Sequence, residues 1–265
     1  MTKHLVISDI HQDDRALRSL LKSAKDYDSI WCLGDVAGHK DYMEHKYLDN
    51  GYIGDVLACY QMLQEENVRC IIGNWEGWLL QPERDEDETA YQHSYASELA
   101  NVRDILKGTD ILEWVKSWST SAYMDDLFTL VHGSVDNNGN DKAKDWEIYI
   151  RPNNHDDIHL INNIFRRNKL KTPHMLHGHT HTPGYFTWNR NHPEWHDPAL
   201  DYEYQYNHRN HTLRYIINPG SLSVNRTGDG RGFRRDLSGI ALTIDTEKHI
   251  FRYISVSKEL PRSLT

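Results

Sequence analysis

Three histidines stand at alternate positions in the second half of the chain: His177, His179 and His181. Imidazole is the commonest side-chain ligand of metal ions. A strand that ends here, with a tight turn at Gly178, would direct the imidazoles into one cavity. Histidine clusters also occur on protein surfaces, and this chain has 17 histidines. A metal site therefore requires matching ligands elsewhere in the sequence.

Candidate ligands also follow four apolar segments, which we predict to be strands at 4–8, 29–33, 68–72 and 127–131. In order, these segments end in Asp9-x-His11, Gly34–Asp35, Gly73–Asn74 and His132–Gly133. Each ending taken alone could be a helix cap, a turn or a buried core histidine. Open α/β sheets bind ligands beyond the carboxyl ends of their strands. We therefore expect all these side chains in one region.

The collected candidates are carboxylates, an amide and imidazoles, which suit borderline divalent metals. They are Asp9, His11, Asp35, Asn74, His132, His179 and His181. Seven ligands are too many for one tetrahedral ion and fit two ions that share a bridging carboxylate. Two metals about 3.5–4 Å apart suit in-line displacement at phosphorus, because they supply hydroxide at neutral pH and neutralise the phosphoryl oxygens.

The composition is that of an ordinary globular chain of 265 residues, with 38% hydrophobic and 26% charged residues. We expect a single domain, residues 1–265, located in the cytoplasm. No apolar run reaches the roughly 20 residues of a membrane span, and the N-terminus lacks the pattern of a signal peptide. The net charge of −9 argues against duplex nucleic acid as a partner. Phosphate chemistry stays open, because bound cations reverse the field in a cleft.

Helical periodicity between the strands indicates an α/β fold, with helices expected near 16–21, 53–66, 99–106, 111–118 and 157–168. Further strands are predicted at 121–124, 213–218, 237–244 and 249–255, and we expect the last two to belong to a second sheet packed on the first. The segment 184–211 interleaves aromatic residues and histidines. We expect an insertion there that forms a substrate wall, an oligomer contact or a long hairpin with its own aromatic cluster.

The order of these motifs resembles the calcineurin-like metallophosphoesterase superfamily, and the motifs span most of the chain. The resemblance implies a four-layer α/β/β/α sandwich of two facing mixed β-sheets flanked by helices. It also implies a dinuclear metal centre at which a metal-bridging hydroxide hydrolyses a phosphoester. In that scheme the first metal is held by Asp9, His11 and His181. The second is held by Asn74, His132 and His179, and Asp35 bridges the two.

Within the superfamily the sequence most resembles the small bacterial and archaeal phosphodiesterases, which have an Asn-Pro-Gly-Ser element after the histidine pair. Here that element is Asn218–Pro219–Gly220–Ser221, and Arg226 stands where the branch has an arginine, which we expect to contact substrate phosphate. Protein phosphatases carry Asp-Arg-Gly after Gly-Asp, whereas this chain has Val36–Ala37–Gly38–His39. The resemblance thus implies phosphodiester hydrolysis, with these catalytic residues: Asp35, Asn74, His132 and Arg226.

One position departs from the superfamily pattern. The residue after Gly73–Asn74 is usually a histidine that assists the leaving group, but here it is Trp75. Tryptophan cannot act as a general acid, whose help is typically worth about 10²–10⁴-fold. We therefore expect a preference for substrates with good leaving groups. We also expect Trp75 to stack on a planar substrate group, and His39 to serve as a substitute proton donor.

Two other functions stay open at this point. One is a phosphomonoesterase or protein phosphatase with the same metals, and the other is a non-catalytic protein-binding scaffold, like the retromer subunit with this fold. Because every ligand position is filled, we favour an enzyme. The expected cofactor is a pair of divalent ions, Mn²⁺ first, with Fe²⁺, Zn²⁺ or Ni²⁺ as alternatives. The expected partner is a small phosphorylated substrate of nucleotide type, and a homo-oligomer stays open.

Overall fold

The computed structural model describes residues 2–38, 54–81, 90–135, 144–152, 154–167, 169–189, 192–206, 213–223 and 239–256. Within these ranges the α-helices are α1 (Asp14–Ser23), α2 (Val56–Glu65), α3 (Asn74–Leu79), α4 (Ala90–Leu106), α5 (Ile111–Lys116) and α6 (His155–Arg166). A single 3₁₀ turn is described at Asp145–Glu147. No helix of the described ranges is long and apolar enough to cross a membrane.

The strands of the described residues fall into two groups of six. Those of the first sheet are β1 (Lys3–Ile7), β2 (Ser29–Cys32), β3 (Arg69–Cys70), β9 (Glu203–Gln205), β11 (Ile240–Asp245) and β12 (Ile250–Ser255). Those of the second sheet are β4 (Ser121–Met124), β5 (Phe128–Val131), β6 (His174–Leu176), β7 (Gly184–Asn189), β8 (His192–His196) and β10 (Leu213–Asn218).

Both sheets are mixed. The first has the order β3-β2-β1-β11-β12-β9, in which β1, β2 and β3 are parallel and the remaining pairs are antiparallel. The second has the order β4-β5-β6-β10-β7-β8, in which β5, β6 and β10 are parallel. The parallel strands β1, β2 and β3 carry their carboxyl ends to one edge of the first sheet, as β5 and β6 do in the second. The predicted pair of mixed sheets is therefore confirmed.

Alternating residues of β1 show how the layers stack. Leu5 and Ile7 pack with the helix residues Leu17 and Leu63, whereas Val6 packs in the cluster that the two sheets share. Successive side chains of a strand point to opposite faces, so one face of β1 meets helices and the other meets the second sheet. The sheet–sheet cluster takes residues from both sheets: Val6, Leu33, Phe128, Leu130, Leu176, Ile217, Leu242 and Phe251.

On the outer face of the second sheet, α6 completes the fourth layer. Ile161 and Ile164 of α6 pack with Met175 of β6 and Ile216 of β10. All four side chains are fully buried. Helices therefore cover both outer faces, and the predicted order of helix, sheet, sheet and helix is confirmed.

The prediction for the last two strands was wrong in one respect. We expected them in the second sheet, but β11 pairs with β1 and β12 pairs with β11, so both extend the first sheet. The alternation of apolar residues in these strands identifies which side chains are buried, and Leu242 and Ile244 do face the other sheet. The alternation of apolar residues along a strand does not identify the neighbouring strand with which it forms hydrogen bonds.

Most described aromatic residues of the segment 184–211 pack in the core clusters, whereas Tyr202 is 59% exposed. The Tyr204 ring stacks on Phe251 of β12 at a centroid distance of 5.2 Å, and Tyr185 lies 5.2 Å from each of these two rings. The segment supplies β7 and β8 to the second sheet and β9 to the first. It therefore joins the two sheets instead of forming a separate aromatic cluster. His208 and His211 lie outside the described residues.

Candidate metal centre

The strand ends bring all seven candidate ligands together at one edge of the two sheets. Asp9 and His11 follow β1, Asp35 follows β2, Asn74 opens α3 after β3, His132 follows β5, and His179 and His181 follow β6. Two groups of ligand atoms, each within a 4.8 Å span, are Asp9, His11 and His181, and Asp35, His132 and His179. We call the first group the first set, and the second group together with Asn74 the second set.

In the first set the ligand atoms converge closely. His11 Nε2 lies 2.9 Å from His181 Nε2. Asp9 Oδ1 lies 3.3 Å from His181 Nε2 and 3.9 Å from His11 Nε2. Asp9 is completely buried, His11 is 4% exposed and the His181 side chain is 12% exposed. The three ligand atoms therefore lie within 4 Å of one another at a largely buried position.

The second set converges on His132 Nε2. This atom lies 3.2 Å from Asp35 Oδ2, 3.1 Å from Asn74 Oδ1 and 3.2 Å from His179 Nδ1. Asp35 Oδ2 also lies 4.0 Å from His11 Nε2 of the first set. One carboxylate oxygen therefore faces nitrogen atoms of both sets.

These residues fit a pair of divalent cations. Two buried carboxylates stand beside imidazole nitrogens that approach each other to 2.9 and 3.2 Å. Buried charges are costly unless they are paired, and a cation between the facing atoms would satisfy carboxylates and imidazole lone pairs together. Carboxylate, amide and imidazole ligands suit borderline divalent metals. The clusters and the fold together define a divalent metal centre.

The protonation states of four of the candidate ligands suit metal binding. Burial raises the pKa of Asp9, but the combined effect of the nearby His181, His132 and His11 is larger and in the opposite direction, so the pKa falls below its usual range. Burial also raises the pKa of Asp35, and His132 outweighs this effect and lowers it. Burial lowers the pKa of His11 to about 4 and that of His179 to about 3. At neutral pH the carboxylates are ionised and these two imidazoles keep a free lone pair, as metal ligation requires. Burial lowers the pKa of His132, but Asp35 and Asp9 outweigh this effect and raise it to about 9, so an ion at the second set would displace a proton from that imidazole.

The backbone at the ligands is unusual. Five of the seven candidates adopt the left-handed region, with φ between 45° and 67°: Asp9, His11, Asp35, His179 and His181. Non-glycine residues rarely adopt this conformation, and each instance costs on the order of 1–3 kcal/mol. Such strain persists only where the surrounding contacts determine the conformation. The contacts around these loops are therefore part of the site.

Glu76, which the sequence analysis did not identify, holds the loop that carries Asp35. The side chain is completely buried. It accepts hydrogen bonds from five donors: Asp35 N at 2.8 Å, Val36 N at 2.9 Å, Gly73 N at 3.0 Å, Ala37 N at 3.1 Å and the Tyr60 hydroxyl at 3.1 Å. The carboxylate thereby joins the end of β2 to the start of α3. A sequence signal existed, because Glu76 is the third residue of a helix that starts after Gly73.

The Asn218 element supports the histidine loop. Asn218 Nδ2 donates to Gly178 O and to Thr180 Oγ1, at 2.9 Å each. The Ser221 hydroxyl donates to Asp9 O at 2.8 Å. The element thus positions ligand-bearing loops of both sheets through hydrogen bonds between buried groups.

His132 is oriented by its second ring nitrogen. Its Nδ1 lies 2.7 Å from Leu33 O and donates to that carbonyl, so Nε2 is the ring nitrogen that faces the second set. His179 is fixed through its backbone, because its N–H points to both carboxylate oxygens of Asp9 at 3.1 and 3.2 Å. Asp9 therefore connects its own loop, which carries His11, to the loop that carries His179 and His181.

Trp75 lies next to the centre but is buried. The residue is 6% exposed, and its ring packs against Gly38, 5.7 Å from the Trp78 ring centroid and 6.4 Å from that of His11. Stacking on a planar substrate group requires an open ring face. The structure therefore argues against the predicted stacking role and gives the ring a packing role in the helix-layer core.

Two predicted site residues cannot be placed. His39, expected as a substitute proton donor, and Arg226, expected to contact phosphate, lie outside the described residues. One residue that the sequence analysis did not identify lies against the centre: Tyr149, whose ring centroid is 4.0 Å from that of His179. No local pattern marked Tyr149, because 30 positions of sequence separate it from that histidine.

The profile of the family described as calcineurin-like phosphoesterase matches residues 2–218. The chain therefore belongs to the calcineurin-like phosphoesterase family, which implies a metal-dependent phosphoester hydrolase. The resemblance stated from the motifs is confirmed at the family level.

Solved structures agree on the fold. The chain is similar to a metallophosphoesterase from Sphaerobacter thermophilus, with 21% identity and a TM-score of 0.67 over 97% of this chain and 89% of that chain. It is also similar to a candidate diadenosine tetraphosphatase, with 12% identity and a TM-score of 0.51 over 97% of this chain and 95% of that chain. A comparison with curated proteins finds no match. At these identities the structural likeness establishes the fold alone.

Proposed function

We propose that the chain hydrolyses a phosphodiester of nucleotide type at a centre of two divalent ions. The observation that carries the proposal is the position of Asp35 Oδ2, 3.2 Å from His132 Nε2 and 4.0 Å from His11 Nε2. A ligand that bridges two ions must face both sets in this way. When bound, a pair of ions activates water as the nucleophile and neutralises charge on the phosphoryl oxygens.

The seven candidate ligands would then hold the two ions as follows. One ion would be held by Asp9, His11 and His181, and the other by Asn74, His132 and His179. Asp35 would contribute to both. Mn²⁺ is our first choice of ion.

The metal ligands are positioned by residues that form hydrogen bonds to them or to their loops. The Leu33 carbonyl fixes the tautomer of His132, and Glu76 fixes the Asp35 loop through backbone N–H groups. Orientation by such outer contacts typically changes metal affinity or activity by about 10- to 100-fold. The site is therefore arranged before any ion or substrate arrives.

Three features support a diester with a good leaving group. The residue after Asn74 is Trp75, which cannot protonate a leaving group, so substrates with poor leaving groups would react slowly. The Asn218 element, which resembles that of the phosphodiesterase branch, is in place and bonded to the histidine loop. The Asp-Arg-Gly sequence typical of protein phosphatases is absent after Gly34–Asp35.

The test is hydrolysis by metal-stripped protein to which Mn²⁺, Zn²⁺, Mg²⁺ or Ni²⁺ is added back. The substrates are bis(p-nitrophenyl) phosphate, a diester, and p-nitrophenyl phosphate, a monoester. We expect metal-dependent turnover that is faster on the diester. Asp35→Asn should reduce kcat/KM by at least about 100-fold, whereas Asp104→Asn, at an exposed position of α4, should match the wild type.

Two results would contradict the proposal. Equal turnover by wild type and Asp35→Asn would refute the bridging role. Faster turnover of the monoester would favour a phosphomonoesterase with the same site.

A further inference from the structure

Tyr149 touches a proposed metal ligand while much of its own surface stays open. Its ring lies 4.0 Å from the His179 imidazole, centroid to centroid, with the planes inclined by 36°. Tyr149 is 43% exposed, whereas His179 is only 9% exposed. The tyrosine therefore forms part of the rim of the metal centre, on the side of the second set.

Arg151 places a planar cation beside that ring. Its guanidinium carbon lies 5.2 Å from the Tyr149 ring centroid, and its side chain is 45% exposed. Its Nε and its backbone N–H each donate to Asp157 Oδ2 at 2.9 Å. Asp157 lies in the first turn of α6, where a carboxylate is favoured. The helix thus anchors Arg151 and fixes the guanidinium next to the tyrosine.

His179 and Arg151 both lie against the Tyr149 ring, which leaves 43% of the tyrosine exposed, and the Arg151 side chain is 45% exposed. These two partly exposed planar groups at the rim of a phosphoesterase centre suggest what they bind. Nucleobases stack on tyrosine rings and on guanidinium planes. The positive charge also suits an anionic ester in a chain whose net charge is −9. An alkyl group would gain little from either residue.

We propose that Tyr149 and Arg151 form a subsite for a planar ring of the substrate, which makes the natural substrate an ester with a nucleobase or another aromatic ring near the reacting phosphate. The inference rests on the proposed function, because it names the substrate class of the same site. The competing role for Tyr149 is to shield His179 from water. That role would affect every phosphate ligand equally, with or without a ring.

Calorimetric titration of Mn²⁺-loaded protein separates the two roles. The probes are adenosine 5′-monophosphate and methyl phosphate, which share the phosphate and differ in the ring. Wild type should bind the adenosine probe at least tenfold more tightly. Tyr149→Ala should reduce this preference by about tenfold, the scale of one stacked base. Tyr149→Phe should retain it, and Arg151→Ala should also reduce it.

The matched control is Tyr123→Ala. Tyr123 is 44% exposed and has Lys171 Nζ 5.3 Å from its ring centroid, but it lies on β4 and contacts that lysine instead of His179. This variant should show the wild-type preference. It matches the lost tyrosine in exposure and in its neighbouring cation.

The remaining outcomes show which of the two proposals is wrong. If Tyr149→Ala weakens the binding of both probes equally, or if the wild type shows no preference for the adenosine probe, the subsite proposal is wrong. Hydrolysis of bis(p-nitrophenyl) phosphate in that case would leave the proposed function intact. A preference that Tyr149→Ala removes, in protein that hydrolyses no ester, would support the subsite and refute the proposed function.

Discussion

Replacing Glu76 by glutamine is expected to loosen the Asp35 loop and to destabilise the fold. The substitution keeps the shape of the side chain but turns one oxygen into an N–H donor. Oε1 accepts from Val36 N, Ala37 N and the Tyr60 hydroxyl, and Oε2 accepts from Asp35 N and Gly73 N. Whichever oxygen is replaced, at least two buried donors lose their acceptor.

The expected magnitude follows from those hydrogen bonds. A hydrogen bond to a charged group contributes about 1.5–3 kcal/mol, so two give a loss of about 3–6 kcal/mol. Burial and the neighbouring Asp35 raise the pKa of Glu76, while the backbone donors lower it. Removing the charge therefore relieves some repulsion, and we expect the lower end, about 3 kcal/mol. That is a large part of the 5–15 kcal/mol of stability typical of a domain.

Urea unfolding of the metal-free protein measures this loss, and Mn²⁺ titration measures the effect on the centre. Tyr60→Phe removes one of the five hydrogen bonds to this carboxylate and should cost about 1.5 kcal/mol. Glu113→Gln, at a side chain that is 76% exposed and paired with Lys116, should cost less than about 1 kcal/mol. If Glu76→Gln shifts the unfolding free energy no more than Glu113→Gln does, and binds Mn²⁺ normally, the carboxylate does not hold the loop.

Three further outcomes are expected. Gly178→Ala would drive a Cβ against the Ser8 hydroxyl and to 2.8 Å from Asp9 Oδ2, so Mn²⁺ affinity should fall and urea unfolding should show a loss of about 1–3 kcal/mol. Trp75→His should raise turnover of an alkyl phosphodiester more than that of an aryl phosphodiester, and equal gains would refute the missing-acid explanation. Burial raises the pKa values of Tyr206 and Tyr253 above the usual range of a tyrosine. Above pH 10 the unfolded chain loses these protons and the folded chain keeps them, so stability should fall there; tyrosinate absorbance that rises before unfolding would contradict this.

Much of the centre could be predicted because its ligands sit where apolar runs stop. Asp9, Asp35 and His132 each follow a strand within a few residues. Parallel strands bring such ends to one edge of a sheet, so local sequence was enough to infer a shared site. The prediction that this shared site binds metal then followed from the types of these residues, which the sequence gives directly.

Contacts between distant elements could not be predicted in this way. Tyr149 reaches His179 only because the chain after β5 returns to the rim of the centre, and no periodicity encodes that return. The pairing of β11 with β1 is likewise a choice of strand edge, which the apolar pattern leaves undetermined. The packing of Trp75 depends on Gly38 of another loop, so its burial was not visible from the motif around it.

Metal stoichiometry tests the central claim most directly. Metal-stripped protein would be dialysed against Mn²⁺, and the bound metal would be measured by elemental analysis of wild type and Asp35→Ala. We predict two ions per wild-type chain and fewer than two in the variant, because Asp35 Oδ2 faces both sets. One ion per wild-type chain, or the same content in both proteins, would contradict a bridged two-metal centre.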